Sequence, residues 1–396
     1  MPEPQRDERA THRRLPRTVW ALGCVSLFMD FSSELIHSLL PVFMTTVLGA
    51  SARAIGFVEG FAEATAALLK VFSGVLTDRI GRRKPLVALG YGLAALSKPL
   101  FALAGSVGLV FVARVTDRVG KGVRGAPRDA MIADVTPTQL RGTAYGLRQA
   151  LDSVGAVLGP LAAVALMLWL AGDIRTVLWL ATLPAVVAFA IVVLVVKEPE
   201  VRRAVGARLA FAGLGSLGAH YWAVVALAAV LTLARFSEAF LVLRALDVGL
   251  AAAQAPLVMA LMAGSYALIS YPAGRAADRG RRRALLIWGL LVLVCADVLL
   301  AAAGSSGLLF AGVALWGAHM GLTQGLLSTL VADAAPETLR GTAFGVFHLV
   351  TGAALLAASL LAGWLWSAYG PAWTFGCGAA FTAVALIGLL VASRAR

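Results

Sequence analysis

Gly74 to Lys84 reads GVLTDRIGRRK, and Gly274 to Arg283 reads GRAADRGRRR. Each stretch follows an apolar run and ends in a burst of basic residues. A second pair recurs at nearly the same offset. Ala133-Asp134 leads through Pro137 to Leu140-Arg141-Gly142-Thr143-Ala144-Tyr145-Gly146, and Ala332-Asp333 leads through Pro336 to Leu339-Arg340-Gly341-Thr342-Ala343-Phe344-Gly345. Two unrelated matches at one offset indicate an internal duplication. In chains of this kind a duplication places the binding site between the repeats.

The segments around these loops are apolar. Of 396 residues, 60% are hydrophobic and 14% charged, with a mean hydropathy of +0.84. A soluble domain carries about 25% charged residues. Apolar runs of about 20 residues cross a bilayer as helices, which satisfy their own backbone groups. The pattern predicts an all-α membrane protein with twelve spans, at 18–46, 52–76, 85–104, 107–131, 141–170, 175–196, 219–246, 252–276, 283–303, 307–331, 340–367 and 371–393. The polar stretch 197–218 divides a first six-helix bundle, 1–196, from a second, 219–396.

The net charge of +13 raises the question of nucleic acid, but its placement answers against it. Basic residues gather in alternate short loops, the positive-inside pattern. They are Arg13, Arg14 and Arg17; Arg79, Arg82, Arg83 and Lys84; Lys197, Arg202, Arg203 and Arg208; and Arg279, Arg281, Arg282 and Arg283. The intervening loops hold little beyond Arg53 and Arg175. The expected topology has both termini, including Arg394 and Arg396, on the cytoplasmic side of a prokaryotic plasma or inner membrane, with no cleaved leader. Cys24, Cys295 and Cys377 lie far apart in apolar runs, with neither disulfide nor metal-ligand spacing.

The loop formed by Gly74, Asp78, Arg79, Gly81, Arg82 and Arg83 resembles motif A of the major facilitator superfamily, with a degenerate echo at Asp278 and Arg279. The resemblance covers essentially the whole chain. It implies two six-helix bundles that rock about a central cavity. It also implies that Asp78 meets the N-terminus of span eleven, where a helix dipole favours a carboxylate, while the arginines hold the cytoplasmic side closed. Gly146, Gly155 and Gly159-Pro160 are similar to the family's antiporter motif, with Ala163-Val164 in place of its closing glycines. That motif is associated with exporters. Physically, small residues let helices approach and Pro160 bends one. Arg118-x-x-Lys121-Gly122-x-Arg124-x-Ala126 resembles a proton-antiporter motif, but Lys121 and Arg124 depart from its Gln and Gly.

An ionisable side chain at a helix centre costs about 2.5–3.5 kcal/mol on insertion scales, so each needs a partner, water or a function. Span one carries Asp30, Glu34 and His37 on one face. Span two adds Glu59, Glu63 and Lys70, with Glu59 expected near water at the span's outer end. Span four holds Arg114, Asp117, Arg118, Lys121, Arg124 and Arg128; Asp117 can neutralise Arg114 or Lys121, and the other cations require acids from spans one, two or five, or an anionic substrate. In span five, Arg148 and Asp152 share a face with Gly155 and Gly159. The second half is poorer: Arg235 and Glu238 in span seven, His319 and Gln324 in span ten, His348 in span eleven, and Asp297 in span nine with no obvious partner. Trp288, Trp316, Phe344 and Phe347 are the candidate aromatic contacts of that half.

The sequence contains no phosphate-cradling glycine loop, no HExxH pair and no nucleophile elbow in a suitable context. The expectation is a transporter rather than an enzyme, acting as a monomer without cofactor, with membrane lipid around it. Two readings stay open: proton-coupled antiport exporting a small organic compound, or uptake of an anionic metabolite by symport or uniport.

Overall fold

The computed structural model describes residues 15–80, 82–198, 217–336 and 339–394. Among them every regular element is a helix. In chain order these are α1 (Arg17–Val42, prolonged by a π turn over Phe43–Val47), α2 (Ala52–Ile80), α3 (Lys84–Leu103), α4 (Val107–Val135) and α5 (Arg141–Trp169). Then come α6 in two parts, α6a (Ile174–Leu180) and α6b (Thr182–Leu194), and α7 in two parts, α7a (Ala219–Ala234) and α7b (Ala239–Asp247). The rest are α8 (Leu257–Ala276), α9 (Arg282–Ala302), α10 (Ser306–Ala334), α11 (Arg340–Tyr369) and α12 (Pro371–Arg394). Among the described residues nine stretches are long and apolar enough to cross a membrane, one of them containing both α8 and α9. The two helices outside that set, α2 and α4, carry the charges predicted above. Large apolar side chains such as Leu96, Leu183, Leu268 and Ile387 are exposed on the perimeter, as a lipid-facing surface requires. The chain is a multi-pass membrane protein.

The duplication is visible as matched local chemistry. Ser106 caps α4 by accepting from the Leu109 amide, and Ser305 caps α10 by accepting from the Leu308 amide. Arg83 pairs with Asp134, and Arg282 pairs with Asp333, at the same offset as the caps. Each pair ties the start of one helix to the end of the next.

α6 and α7 depart from the continuous helices expected. Ala181 interrupts α6, and the Ser32 hydroxyl donates to its carbonyl at 2.6 Å. α7 opens between Ala234 and Ala239. There the Ser237 amide donates to Ser359 Oγ, and the Ser237 hydroxyl accepts from the Ala239 amide. Backbone groups released by a break need such partners in a dry interior. At the opposite end of the molecule from the basic loops, Asp173 caps α6a, and its carboxyl is held below the ordinary range by the Thr176 hydroxyl and amide.

α1 packs on α5 and α6b, α3 on α4 and α6b, and α2 on α4. In the second half α9 joins α10 and α12, α8 joins α10, and α7a joins α11 and α12. Contacts between the halves run along α2 with α11 and α5 with α8, and α7b rests on α1 and α2. One apolar core, including Leu39, Phe43 and Val58 with Phe240, Val258 and Trp316, spans both halves at the end away from the basic loops. At the basic-loop end the core is split: one cluster belongs to the first half and two others to the second.

Candidate functional site

Where the core splits, a cavity of about 650 Å³ opens between the halves toward the basic-loop end. Asp30 of α1, Glu63 and Lys70 of α2, Lys121, Arg124, Arg128 and Asp129 of α4, and Arg148 and Asp152 of α5 line one wall. Arg235, Tyr266, His319, Gln324, Phe347 and His348 are on the other. Of the four second-half aromatics expected here, Phe347 lines the cavity. Trp316 is buried in the aromatic part of the shared core, and Trp288 is 62% exposed on the perimeter. Sequence pattern assigns each of them to a helix but not to a face, because both faces of these helices are apolar.

Behind the first wall runs a chain of charges. His37 lies between Glu34 and Glu59, at 3.5 and 3.4 Å. Glu59 accepts from Arg114 at 2.6 Å. Arg118 meets Glu63 at 3.1 Å and Asp117 at 3.3 Å. Lys98 of α3 donates to Asp117 at 2.8 Å and to the Ser33 hydroxyl at 2.9 Å. Glu59 is 1% exposed, so it is a buried partner of Arg114 rather than a solvated end. Asp117 pairs with Lys98 and Arg118 and, among the described residues, forms no ion pair with Arg114 or Lys121. Lys98 is absent from the residues that sequence reasoning singles out. Its signal is a lone lysine in an otherwise apolar span, which demands an acid from another helix.

A second group lies nearer the mouth. Arg148 donates to Asp152 at 2.5 Å, the pair expected from their spacing, and also approaches Asp129. Arg128 reaches Asp129 and the Ser26 hydroxyl, so it is tied into the wall rather than free in water. The Arg124 guanidinium sits 4.6 Å from the centre of the Tyr91 ring. Asp30 has no hydrogen bond or ion pair among the described residues; its charged neighbours are Asp152 on α5, Lys121 and Arg124 on α4, and Glu34 on its own helix.

The small residues of α5 act directly on this wall. A Cβ added to Gly155 would lie 2.7 Å from the Leu27 carbonyl oxygen and 3.2 Å from the Asp30 Cβ. One added to Gly159 would lie 2.7 Å from the Phe31 carbonyl oxygen and 3.1 Å from the Glu34 Cβ. These two glycines therefore bring α5 onto the acidic face of α1. Pro160 is buried beside them. Gly146 differs: a Cβ there meets nothing within 4 Å, so close packing does not explain it.

Of the first basic motif, Gly74 falls within α2, while Gly81 and the side chains of Asp78 and Arg79 lie outside the described residues, as do Arg13, Arg14, Arg202, Arg203, Arg208 and Arg396. Arg82 is exposed, and Arg83 holds Asp134. In the second copy Asp278 and Arg279 are exposed at a turn where Gly280 has φ +80°. Neither forms an ion pair among the described residues, as befits an end at which the halves stand apart. In the second half Arg235 faces the cavity, while Glu238 sits half-buried at the α7 break and does not line it. His319 Nδ1 bonds the Gly289 carbonyl at 2.8 Å. Asp297 is fully buried, with no hydrogen-bond partner for either oxygen among the described residues.

The family model described as Major Facilitator Superfamily matches residues 22–243 and 226–396. The chain belongs to the major facilitator superfamily. It is 32% identical over 371 residues to the uncharacterized MFS-type transporter MJ1317 of Methanocaldococcus jannaschii, covering 92% of each chain. A shorter match, 30% over 144 residues, links 36% of the chain to 35% of the multidrug resistance protein MdtH of Proteus mirabilis. The fold is shared with a crystal structure of a POT family transporter, at a TM-score of 0.81 and 12% identity, covering 96% of both chains. The protein is thus a transporter and not an enzyme.

Proposed function

We propose that this major facilitator superfamily protein is a proton-coupled secondary transporter of small organic compounds, with Asp30 as its proton-carrying group. The bodies 1–196 and 219–396, joined by 197–218, rock about the cavity in alternating access. The basic loops and both termini face the cytoplasm of a prokaryotic cell, so the cavity described above opens inward. The observation that carries the reading is Asp30: a carboxylate that lines the cavity without an ion pair and is pressed by Gly155, while its neighbour Asp152 is held by Arg148. A group of this kind responds to protonation, whereas Glu59 and Asp117 are already neutralised by buried cations.

Export by exchange with protons is the first reading, supported by the Gly155 and Gly159 packing and by the likeness of part of the chain to a multidrug resistance protein. Uptake of an anionic metabolite together with a proton is the second, supported by the cationic cavity face of α4. Proteoliposomes containing the purified monomer and an internal pH dye distinguish them. In exchange, an outward substrate gradient draws protons in; in cotransport, it carries protons out. Asp30→Asn is expected to abolish the proton signal in either case. Persistence of the full signal in that variant would remove Asp30 from the mechanism.

A further inference from the structure

The charges lining the cavity are not balanced once their pairing is followed. Glu63 is taken by Arg118 and Arg114, and Asp152 and Asp129 are taken by Arg148 and Arg128. That leaves Asp30 as the lining acid without an ion pair. Against it stand three lining cations whose side chains form no hydrogen bond or ion pair among the described residues: Lys70 on α2, Lys121 on α4 and Arg235 at the end of α7a. Arg124 adds a fourth positive charge, with its Nη1 buried and unpartnered. Lys70 and Lys121 belong to one half of the molecule and Arg235 to the other. Facing cations in a narrow, low-dielectric space repel each other and concentrate anions.

We propose that the molecule carried in this cavity is an organic anion, with its acid group seated by Lys121 and Lys70 from the first half and by Arg235 from the second. The proposal rests on the cavity being the transport site; it does not depend on the direction of proton coupling. Arg235 offers a planar fork to a carboxylate, sulfonate or phosphate, and the two lysines offer mobile point charges. The remainder of the ligand faces Phe347, Tyr266 and Leu355, which supply apolar and aromatic surface. At about 650 Å³ the cavity has the size of a site for one small organic molecule. A proton on Asp30 removes the negative neighbour of Lys121, so the proton and the anion favour each other's binding. An anionic substrate would therefore put the second reading above, cotransport, ahead of exchange.

Two measurements on the full-length protein in detergent test the seat with probes of defined charge. In a variant with Cys24, Cys295 and Cys377 replaced by alanine, Ser153→Cys places one thiol on the cavity wall. Its reaction rates with methanethiosulfonates bearing a sulfonate or a trimethylammonium group are compared, each relative to free cysteine. The anionic reagent is expected to be favoured by about 10-fold or more at low salt. The preference should vanish when Lys121→Gln and Arg235→Gln are combined, and shrink in 1 M NaCl. A preference for the cationic reagent, or none, overturns the proposal. Thermal stabilisation is then measured with benzoate, phthalate, benzamide and benzylamine. The two anions are expected to raise the melting temperature of the parent but not of the double variant. Stabilisation by benzylamine, or by neither anion, overturns it. Failure of the proton reading appears only in the pH-dye assay, so the two outcomes are separable.

Discussion

The two halves share local chemistry at their caps and loop ion pairs, yet their interiors are held together differently. The first half buries Arg114, Asp117, Arg118, Lys98, Glu59 and His37 in a connected chain of ions. At the same depth the second half buries aromatic rings: Phe236 packs against Phe240, Trp316 and Phe375 with centroids 5.4 to 5.5 Å apart, and Trp366 joins Phe240. One helical framework therefore accommodates two kinds of core. Aromatic packing carries no charge to neutralise, whereas each member of an ion chain needs its partner. The first half therefore depends on paired charges at a depth where the second half depends on ring contacts.

The largest effect should come from breaking the ion chain. Removing one member of a buried pair leaves the other uncompensated and costs about 3–5 kcal/mol, while replacing both with apolar residues of similar size is often neutral. Arg114→Met alone should lower the melting temperature of the purified protein severely, and Arg114→Met with Glu59→Leu should recover most of the loss. If the double variant proved as unstable as the single one, the chain would be holding the half together through more than mutual neutralisation. Recovered stability without recovered transport would separate its structural role from a functional one.

Much of this architecture is legible in the sequence. The duplicated loops and repeated Asp-Pro-Leu-Arg-Gly segments carry it, because each marks a helix start or end. The Arg148 and Asp152 pair follows from a one-turn spacing. Partners contributed by other helices are not legible. Lys98 with Asp117, and Glu59 with Arg114, join residues whose meeting depends on how α2, α3 and α4 rotate about their axes, and insertion cost alone does not encode that rotation. The break in α7 is also hidden, since Phe236 and Ser237 sit in an apolar run and the break is satisfied by Ser359 on a distant helix. Gly146 shows the reverse case: its place in a motif is plain, but the open space beside it gives it no packing role.

A medium effect should sharpen the contrast at the α1 and α5 contact. Gly159→Val puts atoms where the Phe31 carbonyl already stands, and overpacking of this kind costs about 1–3 kcal/mol. Since the clash falls between the acidic face of α1 and the cavity wall, transport in proteoliposomes should fall further than stability does. Gly146→Ala meets open space, and its transport rate should match the parent. Equal loss from the two substitutions would mean that α5 needs glycine for bending rather than for contact.

The smallest effect compares the duplicated ion pairs directly. Arg83 and Asp134 have side chains 12% and 26% exposed, whereas Arg282 and Asp333 are 39% and 56% exposed. Exposed pairs contribute about 0–1 kcal/mol and are screened by salt. Arg282→Ala should therefore move the melting temperature little, and the small shift should disappear at high ionic strength. Arg83→Ala should cost more and retain more of its effect in salt, because its pair is better shielded from solvent. The ordering matters more than either value. Equal, salt-insensitive losses at both sites would mean that the loop pairs are symmetric in energy as well as position, which would confine the difference between the halves to the ion chain and the aromatic cluster.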